Sequence, residues 1–200
     1  MSEEEEKPDL MPLALTPDML LDERIISIYG TIDEMLAGPV CHRLMQIHLE
    51  EKEIALLKEG SKAEPVHVIV STHGGVAVEL FSIYDMIRMV RESVPVSTLG
   101  LGKIMSSGLL LLAAGTKGKR RIGKSARLMF HDVIAESSGH IHEMMNSMKE
   151  ADTIQKYFMQ TIINETNLTQ KDIKKLLSRK SDFYFSAEEA LEFGFVDSIV

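Results

Sequence analysis

Apolar and polar residues along the chain alternate between two spacings. Residues 66–70 are a continuous β-branched run broken only by His67, the pattern of a parallel strand buried on both faces. Residues 24–29, 96–101, 119–122, 126–130 and 196–199 read as further short strands, several closed by glycine. Between them the spacing becomes helical. Over 37–58, Val40, Leu44, Ile47, Ile54 and Leu57 share one face; over 76–90, Leu80, Ile83, Ile87 and Val90 do. Residues 106–114 predict a very apolar helix ending at Gly115, and 139–165 predict a long one. Thr169, with Asp172 three residues on, opens another. Ser186 with Glu189 is a capping box, and Gly194 stands at the matching C-cap. Repeated β-α units predict an α/β fold with a mostly parallel sheet and right-handed crossovers.

Composition narrows the class. The 200 residues are 44% hydrophobic and 26% charged, as in one ordinary globular domain long enough to bury its own core. One cysteine, Cys41, excludes an internal disulfide framework and a Cys-rich zinc module. A net charge of −8 argues against a broad basic footprint for nucleic acid. The strongest apolar run, 109–114, is too short to span a bilayer. Residues 1–18 contain the Glu3–Glu6 run and Pro8, Pro12 and Pro17, so a solvated acidic segment is expected there and a single domain over 19–200. The acidic start is the opposite of a secretory n-region, and a reducing, cytoplasmic setting is expected.

Several residues are candidates for chemistry. Gly102-Lys103-Ile104-Met105-Ser106-Ser107-Gly108 joins a strand to an apolar helix. A serine at such a junction projects its hydroxyl from the sheet end, beside the free N–H groups of the helix start. The same residues also read as a plain serine N-cap. Ser71-Thr72-His73-Gly74-Gly75 stands at another strand-to-helix junction, where paired glycines let backbone N–H groups approach a ligand or simply make a turn. No phosphate-loop or dinucleotide fingerprint is present. His131 closes a strand at its carboxyl end, where ligands of parallel sheets bind. Asp182 lies between a basic helix end and Phe183-Tyr184-Phe185; it reads as a surface loop residue or as a partner that orients a histidine. His42, His48, His67, His140 and His142 have no metal-ligand spacing.

With these residues in view, the chain resembles the proteolytic subunit of the Clp protease, ClpP, over roughly residues 20–200. The segment from Ser106 through the apolar helix to Ala114-Gly115-Thr116-Lys117-Gly118-Lys119-Arg120 is similar to the family's nucleophile segment. Arg127-Leu128-Met129-Phe130-His131 matches the strand that ends in the catalytic histidine, and Ser71–Gly75 matches Asn-Ser-Pro-Gly-Gly. Ser82-Ile83-Tyr84-Asp85 follows at the expected distance. Asp182 to Asp197 matches the Asp-containing segment and the family's C-terminal ending.

The resemblance implies the ClpP/crotonase-like repeated β-β-α superhelix with a protruding helical handle. It implies Ser106 as nucleophile, His131 as general base and Asp182 as its orienter, with the Gly75 and Ser107 N–H groups as oxyanion hole. It implies no metal and no cofactor, ATP being used by a separate AAA+ unfoldase of the ClpX, ClpA or ClpC type. It also implies self-assembly into seven-membered rings, usually stacked in pairs, and unfolded polypeptides as substrates, with neither nucleic acid nor membrane as partner. The chain departs from the family in an acidic N-terminal region that lacks the usual Arg/Gly/Ser-rich turn, in a longer stretch over residues 50–64, and at three further places. Ser107 replaces a usual methionine, Asp132-Val133 replaces Gln-Pro after the histidine, and Lys180-Ser181 replaces Glu-Arg before the aspartate. Alternatives are a catalytically weak ring subunit, a capsid-maturation protease of the same fold, and a crotonase-fold acyl-CoA enzyme.

Overall fold

A computed structural model describes residues 24–58, 60, 62–177 and 182–200. The expected acidic segment 1–18, loop positions Glu59 and Ser61, and the departure at Lys180-Ser181 lie outside the described residues. The described order is β1 (Ile25–Ile32), α1 (Glu34–Leu57), β2 (Val66–Gly75), α2 (Ala77–Val90), β3 (Val96–Met105), α3 (Ser107–Ala113), β4 (Arg120–Ile122), β5 (Arg127–Phe130), α4 (Ile141–Glu165), α5 (Gln170–Leu177), β6 (Phe183–Phe185), α6 (Ala187–Glu192) and β7 (Ser198–Ile199).

β1, β2, β3, β4 and β7 pair in that order and in parallel. β5 also pairs in parallel with β3, and β6 runs antiparallel to β5. The parallel β-α-β units and the β-branched strands account for each other, because helices cover the sheet and its strands must be apolar. α3 is the deepest helix: every residue from Ser107 to Ala113 is buried. α2 buries Leu80, Ile83, Ile87 and Val90 as its spacing predicts.

Four elements differ from the sequence reading. β2 and β3 continue to Gly75 and Met105 instead of stopping near Val70 and Leu101. Strand pairing on both sides of β2 carries the chain through residues that look like breakers. Phe183–Phe185 forms strand β6, since β5 offers it an open edge and its rings pack on Phe193 and Phe195. In α1, Ile54 and Leu57 are 40% and 77% exposed. The buried face of this helix ends at Glu51, whose carboxylate pairs with Arg24, and the last turns extend beyond the core.

α4 is the handle. Its first ten residues, 141–150, are all exposed, and burial is confined to Phe158, Ile162 and Glu165 near the other end.

Candidate active site

The site is built around a split in β3. Thr98–Gly100 pair with β4, whereas Lys103–Met105 pair with β5. Gly102, at φ +64°, makes the turn between the halves. The second half delivers Ser106 to the carboxyl end of this central strand at φ 52°, ψ −119°, a conformation that side chains rarely adopt. Such a backbone costs about 1–3 kcal/mol and persists only where its surroundings impose it. Here they do. The Ser106 N–H donates to the Met129 carbonyl of β5 at 2.8 Å, and its carbonyl accepts from Leu109 N–H at 3.0 Å as α3 begins. A Cβ on Gly74 would lie 2.7 Å from Ser106 Cβ, so only glycine lets β2 run this close.

The end of β2 is shaped by a bulge. Against β1, Gly30 pairs with Thr72 and Thr31 with Gly74, which leaves His73 as the extra residue. Thr72 fixes the bulge: its hydroxyl accepts from Gly74 N–H at 2.9 Å and donates to the Gly30 carbonyl. Gly75 is packed so that a Cβ would fall 2.1 Å from the Ile32 oxygen. The Ser107 hydroxyl lies 3.5 Å from the Gly75 carbonyl, so these two expected donor residues are neighbours.

Ser106, Ser107, Gly75, His131 and Asp182 all line one cleft of about 1090 Å³. β5 positions His131, which follows Phe130 directly; Phe130 pairs with Phe183 of β6 and stacks on Phe158 of α4 at 6.0 Å. Asp182 immediately precedes β6 and is exposed. Leu80, Met129, Ile154 and Phe158 supply apolar wall, whereas Asp132, Glu150 and Asp182 supply carboxylates. Among the described residues, no lysine or arginine lines the cleft. No hydrogen bond joins the Ser106, His131 and Asp182 side chains to one another among the described residues. Nor do three of His, Cys, Asp or Glu gather there as a metal site.

The matching motifs away from the cleft have a structural basis. Asp197 of the C-terminal ending accepts from Gly118 N–H at 2.7 Å and Arg120 N–H at 2.9 Å. Its carboxylate also holds the Arg120 guanidinium through 2.6 and 3.0 Å bonds. Burial would raise the Asp197 carboxyl, but these bonds hold it below the ordinary carboxylate range. Arg120 also donates to the Glu165 carbonyl at 2.8 Å. The Lys-Gly-Lys-Arg turn, the last strand and the end of α4 are thereby tied together.

Sequence reasoning missed three residues at or beside the cleft. His73 lines it, with Nδ1 3.4 Å from the Met105 sulfur, because the bulge turns it there; a bulge has no periodic signature. Glu150 lines it from α4, in the helical spacing 147, 150, 151, 154, 158, which was legible in principle. Gln155 bonds to the segment after His131 and carries no signal in the sequence. Of the other histidines, His48 is buried against Ser93, with Nδ1 and Oγ 3.0 Å apart.

Comparison with known proteins agrees with this geometry. A family model described as Clp protease matches residues 13–200. The curated relative "ATP-dependent Clp protease proteolytic subunit 2" of Tropheryma whipplei (strain Twist) is 30% identical over 182 residues, covering 91% of this chain and 93% of its own. The α/β architecture with its mostly parallel sheet is consistent with that family's fold. Among the described residues, no helix is long and apolar enough to cross a membrane. The chain belongs to the Clp protease family.

Proposed function

We propose that the chain is a serine endopeptidase subunit of a self-compartmentalised, ATPase-assisted degradation machine, with Ser106 as nucleophile, His131 as general base and Asp182 as its orienter. The observation that carries the reading is Ser106 itself. It is held at positive φ at the carboxyl end of a central parallel strand, in one cleft with His131 and Asp182. A serine that only capped a helix would have no need of that backbone.

The chemistry follows. A peptide carbonyl in the cleft lies against Ser106 while His131 takes the hydroxyl proton, and Ser106 Oγ bonds to the carbonyl carbon. Negative charge then develops on the carbonyl oxygen, and the Gly75 and Ser107 N–H groups stabilise it. Collapse expels the amine, which receives the proton from His131 and leaves an acyl-enzyme. Water, deprotonated by His131, attacks the ester; the acid leaves as the Ser106 oxygen takes that proton back from His131. Asp182 fixes the imidazole tautomer and stabilises the imidazolium. The hydrogen bonds among the three side chains form when substrate fills the cleft, as catalytic hydrogen bonds commonly tighten on binding. Replacing methionine by Ser107 leaves the main-chain donor intact and makes the adjoining wall smaller and more polar.

Assembly belongs to the same reading. A 1090 Å³ cleft open to solvent has no means of excluding folded proteins. Enclosure in stacked seven-membered rings, fed with unfolded polypeptide by an AAA+ unfoldase of the ClpX, ClpA or ClpC type, supplies that exclusion. The exposed first half of α4 suits the junction between rings.

The test is hydrolysis of an unfolded fluorogenic peptide. Ser106→Ala removes turnover by at least about 1,000-fold, whereas Ser107→Ala changes it by roughly tenfold or less. Full activity in Ser106→Ala, or loss only in Ser107→Ala, overturns the assignment. The unbonded triad favours one second reading, a catalytically weak ring subunit; wild type that assembles without turnover selects it.

A further inference from the structure

The Asp132-Val133 peptide, one residue beyond His131, is held by one side chain. The Val133 N–H donates to Gln155 Oε1 at 2.7 Å, and Gln155 Nε2 donates to Asp132 Oδ1 at 2.7 Å. One amide thus uses its acceptor and one of its donors on two consecutive residues. Gln155 is half-buried on α4 and stands outside the cleft. It touches no reacting atom.

What it secures is the far side of His131. On the near side, Phe130 is fixed by its pairing with Phe183 and by stacking on Phe158, three residues beyond Gln155 on the same helix. On the far side, residues 132–140 form neither helix nor strand, and Ile134 is 77% exposed. Without the amide, irregular chain begins at the imidazole itself. With it, irregular chain begins after Val133, and the His131 backbone is bracketed between two attachments to α4. The imidazole then needs only side-chain rotation to reach Ser106. Free backbone torsions on either side of a general base would spread its positions, and a displacement of about 1 Å is enough to cost roughly 100-fold in rate.

We propose that Gln155 is a positioning residue for His131, acting through the Asp132-Val133 peptide. This rests on the reading of Ser106 and His131 as nucleophile and base. The arrangement needs an N–H at position 133, which a proline would lack, and an acceptor at 132, which the aspartate supplies.

The experiment measures the rate of Ser106 acylation by a fluorophosphonate, together with kcat and KM for an unfolded peptide, on the full chain. Gln155→Ala and Gln155→Glu slow acylation and lower kcat roughly 10- to 100-fold with KM little changed. In Gln155→Glu the new carboxylate still accepts from Val133 but repels Asp132. Adding Asp132→Asn reverses donor and acceptor, restores both bonds, and returns the rate to within about threefold of wild type. Melting temperature and elution volume verify that each variant is folded; Val133 amide exchange, fast in Gln155→Ala and slow in wild type, verifies the bond itself. Acylation at wild-type rate in Gln155→Ala overturns the proposal, as does a double variant no faster than Gln155→Glu alone. Wild type that takes no label at Ser106 overturns the nucleophile reading instead, and this proposal falls with it.

Discussion

The two ends of helix α4 are built for opposite purposes. At its C-terminal end, Glu165 is 3% exposed, and its carboxylate receives Tyr84 at 2.8 Å and both Arg91 nitrogens at 2.8 and 3.0 Å. The Glu165 carbonyl receives Arg120 and Lys117. Both the carboxylate and the carbonyl of Glu165 are answered from within the protomer. At the N-terminal end, Ile141 is 74% exposed, Met145 53% and Met148 61%. These three, with Met144, form a small apolar surface that nothing else among the described residues covers. One end is part of the core. The other is soluble surface by position and core by composition, which is what a face covered on assembly looks like. The cleft lies along the helix between them, its walls coming partly from the fixed end and partly from the free one.

The largest expected effect is at the fixed end. Glu165→Ala leaves the Arg91 guanidinium without its partner in a largely buried site. Breaking such a pair costs about 3–5 kcal/mol, or on the order of 10 °C in melting temperature for a domain of this size. A melting temperature within 2 °C or so of wild type would remove the claim that this cluster holds the helix.

Acid should act on the same cluster. Burial would raise the Glu165 carboxyl, but hydrogen bonds from Arg91 and Tyr84 outweigh it and hold the group below its ordinary range. Burial and the bond to Glu165 together push the Tyr84 hydroxyl up. A carboxyl depressed in the folded state contributes stability above its unfolded pKa, and that stability is lost as pH falls through the folded value. Thermal stability should therefore decline from about pH 4.3 downward, and more shallowly in Glu165→Ala. Equal slopes in the two proteins would contradict the linkage.

At the free end the expected effect is on association alone. Met144→Glu combined with Met148→Glu should leave the melting temperature within about 2 °C and separate the proposed stacked rings into single ones, read by native mass spectrometry. A destabilised protomer with an unchanged assembly would reverse the roles of the two ends. The smallest effect belongs to the middle of the helix. Lys156 and Asp152 pair at 2.5 Å, four residues apart, with both side chains more than half exposed. Lys156→Ala should change stability by no more than about 0.5 kcal/mol, measured by denaturant unfolding.

What the sequence made legible follows physical range. The Val66–Val70 run and the α2 stripe were readable because burial of a strand or helix face is set by residues next to one another. The Ser186–Glu189 box was readable for the same reason, and its bonds of 2.8 and 3.3 Å are present. The end of α1 misled because Ile54 and Leu57 keep the right spacing where no layer remains to cover them. β6 was hidden because three aromatic residues become a strand only when β5 lies alongside. Ser106 and His131 could be singled out as types at strand ends, and Asp182 as a carboxylate beside aromatic residues, and the resemblance gave them roles. Their shared cleft depended on the split of β3 at Gly102, which no spacing reveals. The Glu165 cluster and the Gln155 bonds join residues far apart in sequence, and neither carries a local signature.

The claim on which the rest depends is that Ser106 is the nucleophile. Its most direct test is to treat the native protein with a fluorophosphonate and map the adduct by peptide mass spectrometry. The account predicts a single adduct on Ser106, formed far more slowly in His131→Ala. An adduct on Ser107, or none on a correctly assembled protein, would contradict it.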